Sequence, residues 1–112
     1  MYCLSYRFTL YTPTPANEAQ FIACWSGITE FFKESGGALG SRLHKGEDGA
    51  FYAYAQWPDK KTFEAADEII PNEKFMRLRM AWAELCRPSE VLWAGDVSAD
   101  LLKNAAKQGA AE

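Results

Sequence analysis

The sequence is poor in the residues that most often announce chemistry. It has one histidine, His44, and three cysteines in 112 residues. A single histidine excludes any mechanism that needs two within one chain. Cys3, Cys24 and Cys86 lie far apart without C-x-x-C spacing, so neither a disulfide framework nor a zinc site is expected. They read as reduced, buried small residues, which fits the cytoplasm. No apolar run approaches the roughly 18 residues of a membrane span. Residues 1–7 lack the basic start and apolar block of a signal peptide. There is no phosphate-binding glycine loop, no H-E-x-x-H and no G-x-S-x-G. Twelve Lys and Arg against fifteen Asp and Glu leave a net charge of −3, which argues against nucleic-acid backbone binding. No metal, nucleic acid or membrane partner is therefore expected. What is abundant is aromatic surface, with seven Phe, five Tyr and four Trp. That exceeds what a minimal core of this size needs and points to a second buried surface, either a ligand pocket or a subunit contact.

The periodicity of the apolar residues sets the fold class. Residues 2–11 alternate, with Tyr2, Leu4, Tyr6, Phe8 and Leu10 on one side, so they predict a strand that ends at Pro13 and Pro15. Over 17–35 the period becomes helical, with Phe21, Ile22, Trp25, Ile28, Phe31 and Phe32 in one stripe. Thr14 before Pro15, or Asn17 with Gln20, can cap that helix, and Gly36-Gly37 ends it. Residues 38–45 and 50–57 predict a hairpin about Gly46-Glu47-Asp48-Gly49. Asp59 caps a short helix through Phe63, Ala66 and Ile69, and Asn72 caps another over 73–86. Residues 90–97 read as the last strand. The order β-α-β-β-α-β gives an α+β, ferredoxin-like domain over 1–97, with four antiparallel strands and helices on one face. Residues 98–112 read as a polar tail that Ser98 can start as a short helix before it frays.

The sheet's second face should be polar, yet it is not. In the third strand Phe51, Ala53, Ala55 and Trp57 oppose Tyr52, Tyr54 and Gln56. In the fourth, Leu92, Ala94 and Asp96 oppose Val91, Trp93, Gly95 and Val97. Two apolar faces with helices for only one predict a homodimer packed sheet against sheet.

The run Gly-Ala-Leu-Gly-Ser-Arg-Leu at 37–43, and Ala-Gln-Trp-Pro at 55–58 followed by a helix, resemble the antibiotic biosynthesis monooxygenase family over residues 4–97. The resemblance implies a dimeric α+β barrel. It also implies cofactor-independent oxygenation of a small aromatic or quinol-like compound, with no cofactor bound. Because the fold hosts many activities, the alternative is a non-catalytic small-molecule-binding or stress-related dimer. Haem-degrading relatives ligate iron through a helical histidine. The sole histidine here is on a strand, which argues against that branch.

Oxygenation without a cofactor needs a deprotonated phenol or quinol, a base, hydrogen bonds for the anion and dry aromatic walls. His44 is the one side chain with a free pKa near neutrality and is the candidate base, with Tyr54 as a polar partner; His44 can equally be an ordinary strand-end histidine. Arg7 and Arg42 can hold a phenolate or carboxylate, or pair with Asp96 or Glu90. Tyr52, Tyr54 and Tyr6 can line a pocket or fill a dimer contact. Trp25 and Trp57 are candidate substrate-binding walls. Both also suit purely structural roles, Trp57 as an anchor between strand and helix, and Trp25, like Trp82, as core.

Overall fold

The computed structural model describes residues 1–103. Strand β1 covers Tyr2–Phe8, helix α1 Pro15–Ser35, β2 Gly40–Lys45 and β3 Phe51–Trp57. Helix α2, Lys60–Ala65, continues as a single 3₁₀ turn at Ala66–Glu68, and α3, Glu73–Leu85, leads to β4, Glu90–Asp96. The strands form one antiparallel sheet in the order β2-β3-β1-β4, the ferredoxin-like arrangement. Over 98–103 the chain is irregular rather than helical; the rest of the expected tail helix lies outside the described residues.

The local signals act where the residue types require. Thr14 caps α1, its Oγ1 accepting from the Asn17 N–H at 3.2 Å, and Pro15 opens the helix where its missing N–H costs nothing. Asn17 instead donates its side-chain amide to the Thr12 carbonyl at 2.9 Å. Asp59 and Asn72 cap α2 and α3, each accepting a backbone N–H at 2.7 Å. Gly37 after α1 and Gly49 in the hairpin take φ of 75° and 87°, which any other residue would adopt only with strain.

β4 departs from strict alternation. Opposite β1 the register shifts between Ser5 and Tyr6, so Ser5 faces Trp93 while Tyr6 faces Val91. Leu92 is the extra residue of this bulge. Val91 therefore shares the helix side with Tyr6, whereas alternation alone put it beside Trp93. An inserted residue flips every side chain beyond it, and period-two reading cannot detect that.

The core between sheet and helices falls into two clusters. One joins Phe8, Leu10, Phe21, Phe51, Ala53 and Cys86 and is flanked by Trp25 and Trp82. The Phe21 ring stacks on Trp82 at 4.6 Å and meets Phe51 at 4.9 Å. The other joins Tyr2, Leu4, Trp57 and Ala66 and is flanked by Phe32 and Phe63. Tyr6 packs against both clusters. Cys3, Cys24 and Cys86 are all free and buried, and burial, with Cys24 nearby, pushes the Cys86 thiol up to about 11. No helix among the described residues is long and apolar enough to cross a membrane.

Candidate functional site

A cavity of about 310 Å³ opens between the sheet and the helices, where the two core clusters meet. Side-chain size explains why it is there. The sheet floor is Ala53 and Ala55 of β3, with Ser41 and Gly40 beside them on β2, all too small to fill the layer. The walls are large: Trp25, Ile28 and Phe32 from α1, Trp57 and Phe63 at one end, Trp82 and Phe8 at the other. Small floor residues under aromatic walls leave a flat slot, and its volume lies at the lower end of the range for small-molecule sites.

Few polar groups reach this slot. Tyr6 presents its phenol from β1, and burial, with Tyr2 and Asp67 adding to it, raises the Tyr6 hydroxyl above its ordinary pKa, so it stays protonated. Asp67, from the 3₁₀ turn, and Arg79, from α3, bring one charge of each sign. The Arg79 guanidinium lies 5.9 Å from the centre of the Phe75 ring. Ser41 also lines the slot, but its hydroxyl oxygen is shielded from it and has no hydrogen-bond partner among the described residues. An unmade hydrogen bond at such a site costs about 1–3 kcal/mol.

The expected site residues divide between the two sides of the sheet. Trp25 and Trp57 line the cavity. Arg7, Arg42, His44, Tyr52 and Tyr54 stand on the opposite, helix-free face, where β1, β2 and β3 bring them together in register: Arg7 beside Tyr52, Tyr52 beside His44, and Tyr54 beside Arg42. A groove along the β2 edge touches both groups, with Trp25, Arg42 and Tyr54 in its lining. Thr29, Ser41, Asp67, Arg79 and Ser89 are the polar cavity residues that the sequence analysis did not single out. Ser41 was within its reach, because it shares strand parity with Leu43 and sits opposite Ala55. Asp67 was not, since a 3₁₀ turn leaves no periodic mark.

The helix-free face has two chemically different ends. At the hairpin end, the Tyr52 hydroxyl donates to Asp48 Oδ2 at 2.6 Å and accepts from Arg7 Nε at 3.2 Å. Arg7 also reaches Asp48 at 3.5 Å and Glu90 at 4.0 Å. The Tyr52 hydroxyl, the Ala50 N–H and Arg7 together hold the Asp48 carboxyl below its usual range, while the Tyr52 contact raises Arg7 further. Arg7 is thus engaged by groups of its own chain, and His44 is exposed beside the network. At the other end Tyr54 and Trp93 flank Ser5 with ring centres 5.9 Å apart. The Cys3 thiol beside its hydroxyl and, secondarily, burial raise the Tyr54 pKa. A depression of about 710 Å³ lies here, bordered by Val97 and residues 99–102, but Trp93 is 52% exposed and Leu101 97%, so it is an open surface rather than an enclosed site. No cluster of three or more His, Cys, Asp or Glu suited to a metal occurs among the described residues.

No protein-family model matches the chain, and no curated protein matches it in sequence. Solved structures match its fold. SnoaB, a cofactor-independent oxygenase from Streptomyces nogalater, superposes with a TM-score of 0.67 at 21% identity over 91% of this chain and 97% of its own. Rv0793 from Mycobacterium tuberculosis gives 0.62 at 15% identity over 89% and 97%. A crystal structure of an antibiotic biosynthesis monooxygenase gives 0.61 at 17% identity over 88% and 100%. With strand order, helix layer and near full-length superposition in agreement, the chain has the ferredoxin-like α+β fold of the antibiotic biosynthesis monooxygenases.

Proposed function

We propose that the chain binds a small planar aromatic compound in the cavity between helices and sheet and oxygenates it without a cofactor. The observation that carries this reading is the slot itself, floored by Ala53 and Ala55 and walled by Trp25, Trp57 and Trp82. A phenol or quinol suits such walls, and its anion can reduce O₂ directly. One oxygen atom then joins the ring, and the other leaves as water when the adduct collapses to a quinone. Phenol and O₂ together balance quinone and water, so no outside reductant is required. Arg79 is the cation available to the anion. Oxygen uptake with a panel of hydroquinones, without added metal or flavin, tests the proposal. Uptake that saturates with substrate is expected.

One observation favours the alternative, a non-catalytic small-molecule binder. The cavity holds no histidine, and His44 stands on the other face of the sheet. Thermal stabilisation by an aromatic ligand, with no oxygen uptake from any hydroquinone, would select that reading. A catalytic role for His44 and Tyr54, with Arg7, Arg42 and Tyr52 as binding groups, requires a ligand seated on the helix-free face instead.

We also infer that two copies associate through this face into a dimeric α+β barrel. In support, Trp93, which stands on this face, is half exposed although it sits mid-strand. An isologous contact would cover the patch with its own copy. The three free cysteines fit a reducing compartment, and we assign the protein to the cytoplasm on that ground. Sedimentation equilibrium of the full chain should give a dimer mass at micromolar concentration; a monomer at high micromolar concentration rejects the association.

A further inference from the structure

Tyr6 carries a hydroxyl that the described fold leaves unused. Its ring takes the place a phenylalanine would fill, 6.0 Å from the Phe8 ring and packed against both core clusters. On the other face of the sheet the Tyr52 hydroxyl is held by Asp48 at 2.6 Å and Arg7 at 3.2 Å. The Tyr6 hydroxyl has no hydrogen-bond partner among the described residues, and its oxygen is not shielded as that of Ser41 is. Register places it at the slot. Tyr6 pairs with Ala53, the floor residue, on one side and with Val91 on the other. Alanine rises no further than Cβ, so above Ala53 the flank of the Tyr6 ring borders the slot from the sheet up to the hydroxyl. Burial, then Tyr2 and Asp67, raise the Tyr6 pKa, and Asp67 lines the slot from the 3₁₀ turn, so the hydroxyl end of the ring stands toward that lining.

We propose that the Tyr6 hydroxyl hydrogen-bonds an oxygen substituent of the ligand and so fixes which edge of a planar aromatic ring lies beside β1. The inference rests on the reading of the cavity as a ligand site and adds the group that orients the ligand there. A phenol donates one hydrogen bond and also accepts, so it meets a phenolate by donating and a neutral hydroxyl in either sense. Burial keeps Tyr6 protonated, so it serves as a donor and not as a base. A bare hydrocarbon leaves the hydroxyl without a partner, and sites that bond a ligand oxygen discriminate against analogues lacking it for that reason. The rest of the ring then lies over Ala53.

The test measures 1-naphthol and naphthalene by equilibrium dialysis against the full-length protein and its Tyr6→Phe and Tyr2→Phe variants. Tyr6→Phe removes one oxygen and keeps the ring. It should weaken 1-naphthol binding about tenfold, the scale of one hydrogen bond, and change naphthalene binding by less than about twofold. Tyr2 shares strand parity with Tyr6 but does not line the cavity, so Tyr2→Phe should leave both affinities as in the wild type. The unliganded Tyr6→Phe protein should melt no lower than wild type, because no described residue bonds the hydroxyl it loses. If Tyr6→Phe leaves 1-naphthol affinity unchanged, the role of Tyr6 is overturned. An equal loss for both probes overturns it too, since the hydroxyl then only supports the wall. So does an equal loss of 1-naphthol affinity in Tyr2→Phe. In these three cases the cavity reading survives. If neither probe binds the wild type, the cavity reading itself fails and the Tyr6 inference falls with it.

Discussion

The two faces of the sheet are built from the same residue types and end in different environments. On the helix side Tyr2, Leu4, Phe8, Phe51, Ala53 and Trp57 are buried, with Phe21 sealed above them at 0% exposure. On the other side Tyr52 and Tyr54 are half-buried and Trp93 remains 52% exposed. What separates them is cover, not composition. Helices supply it on one face, and small residues beneath those helices leave a slot. Among the described residues nothing supplies it on the other, where an ion-pair network occupies one end and aromatic rings the other. The lesson is that apolar strand residues report burial in the working assembly, while the pattern of small against large residues reports where a ligand fits.

The strongest way to separate the faces is to remove a ring from each. Phe21→Ala should cost about 3–5 kcal/mol in urea unfolding, because the stacked contacts with Trp82 and Phe51 leave no neighbour able to close the hole. Trp93→Glu should change the stability of the isolated chain by only about 0.5 kcal/mol, as for an exposed site. It should nevertheless shift the sedimentation mass from dimer to monomer. Equal stability losses from the two substitutions would erase the contrast.

His44→Ala asks which face does chemistry. With oxygenation in the cavity, turnover of an accepted hydroquinone should stay within about threefold of wild type. A loss of about 10²-fold, the scale of a missing acid–base group, would move the reaction to the helix-free face.

Much of this division can be read from the sequence. Alternation in β1 and β3 assigns both faces residue by residue, and Thr14-Pro15, Asp59 and Asn72 mark helix starts through side-chain chemistry alone. The limits have local causes. The bulge at Leu92 moves Val91 across the sheet, and alternation carries no sign of it. Trp25 and Trp57 are recognisable as aromatic, but a tryptophan wall and a tryptophan plug look alike until the alanines facing them are placed. Ser41 and Asp67 become visible as a pair of cavity groups only when β2 and the 3₁₀ turn are set on opposite sides of one space. His44 draws notice for its chemistry, while its exposure is set by an edge strand's outward face.

The smallest expected effect concerns pH and belongs to the hairpin end of the helix-free face. Asp48 titrates below its usual value when folded, so the unfolded chain binds more protons in acid. Its contribution is present above the ordinary carboxylate pKa of about 4 and is lost as pH falls through the depressed folded value. Asp48→Asn should flatten that acid limb slightly in thermal melts between about pH 5 and pH 2, and added salt should flatten it further. An unchanged limb would mean that the Arg7–Tyr52–Asp48 network contributes nothing measurable.

The central claim is that the ligand lies between helices and sheet. Intermolecular NOEs between bound 1-naphthol and isotope-labelled protein test it most directly. The account predicts contacts to Trp25, Ala55 and Trp57, with the naphthol ring seated over Ala53 and none to Tyr54 or Trp93. Contacts confined to Tyr54, Trp93 and Arg42 would place the ligand on the helix-free face and contradict it.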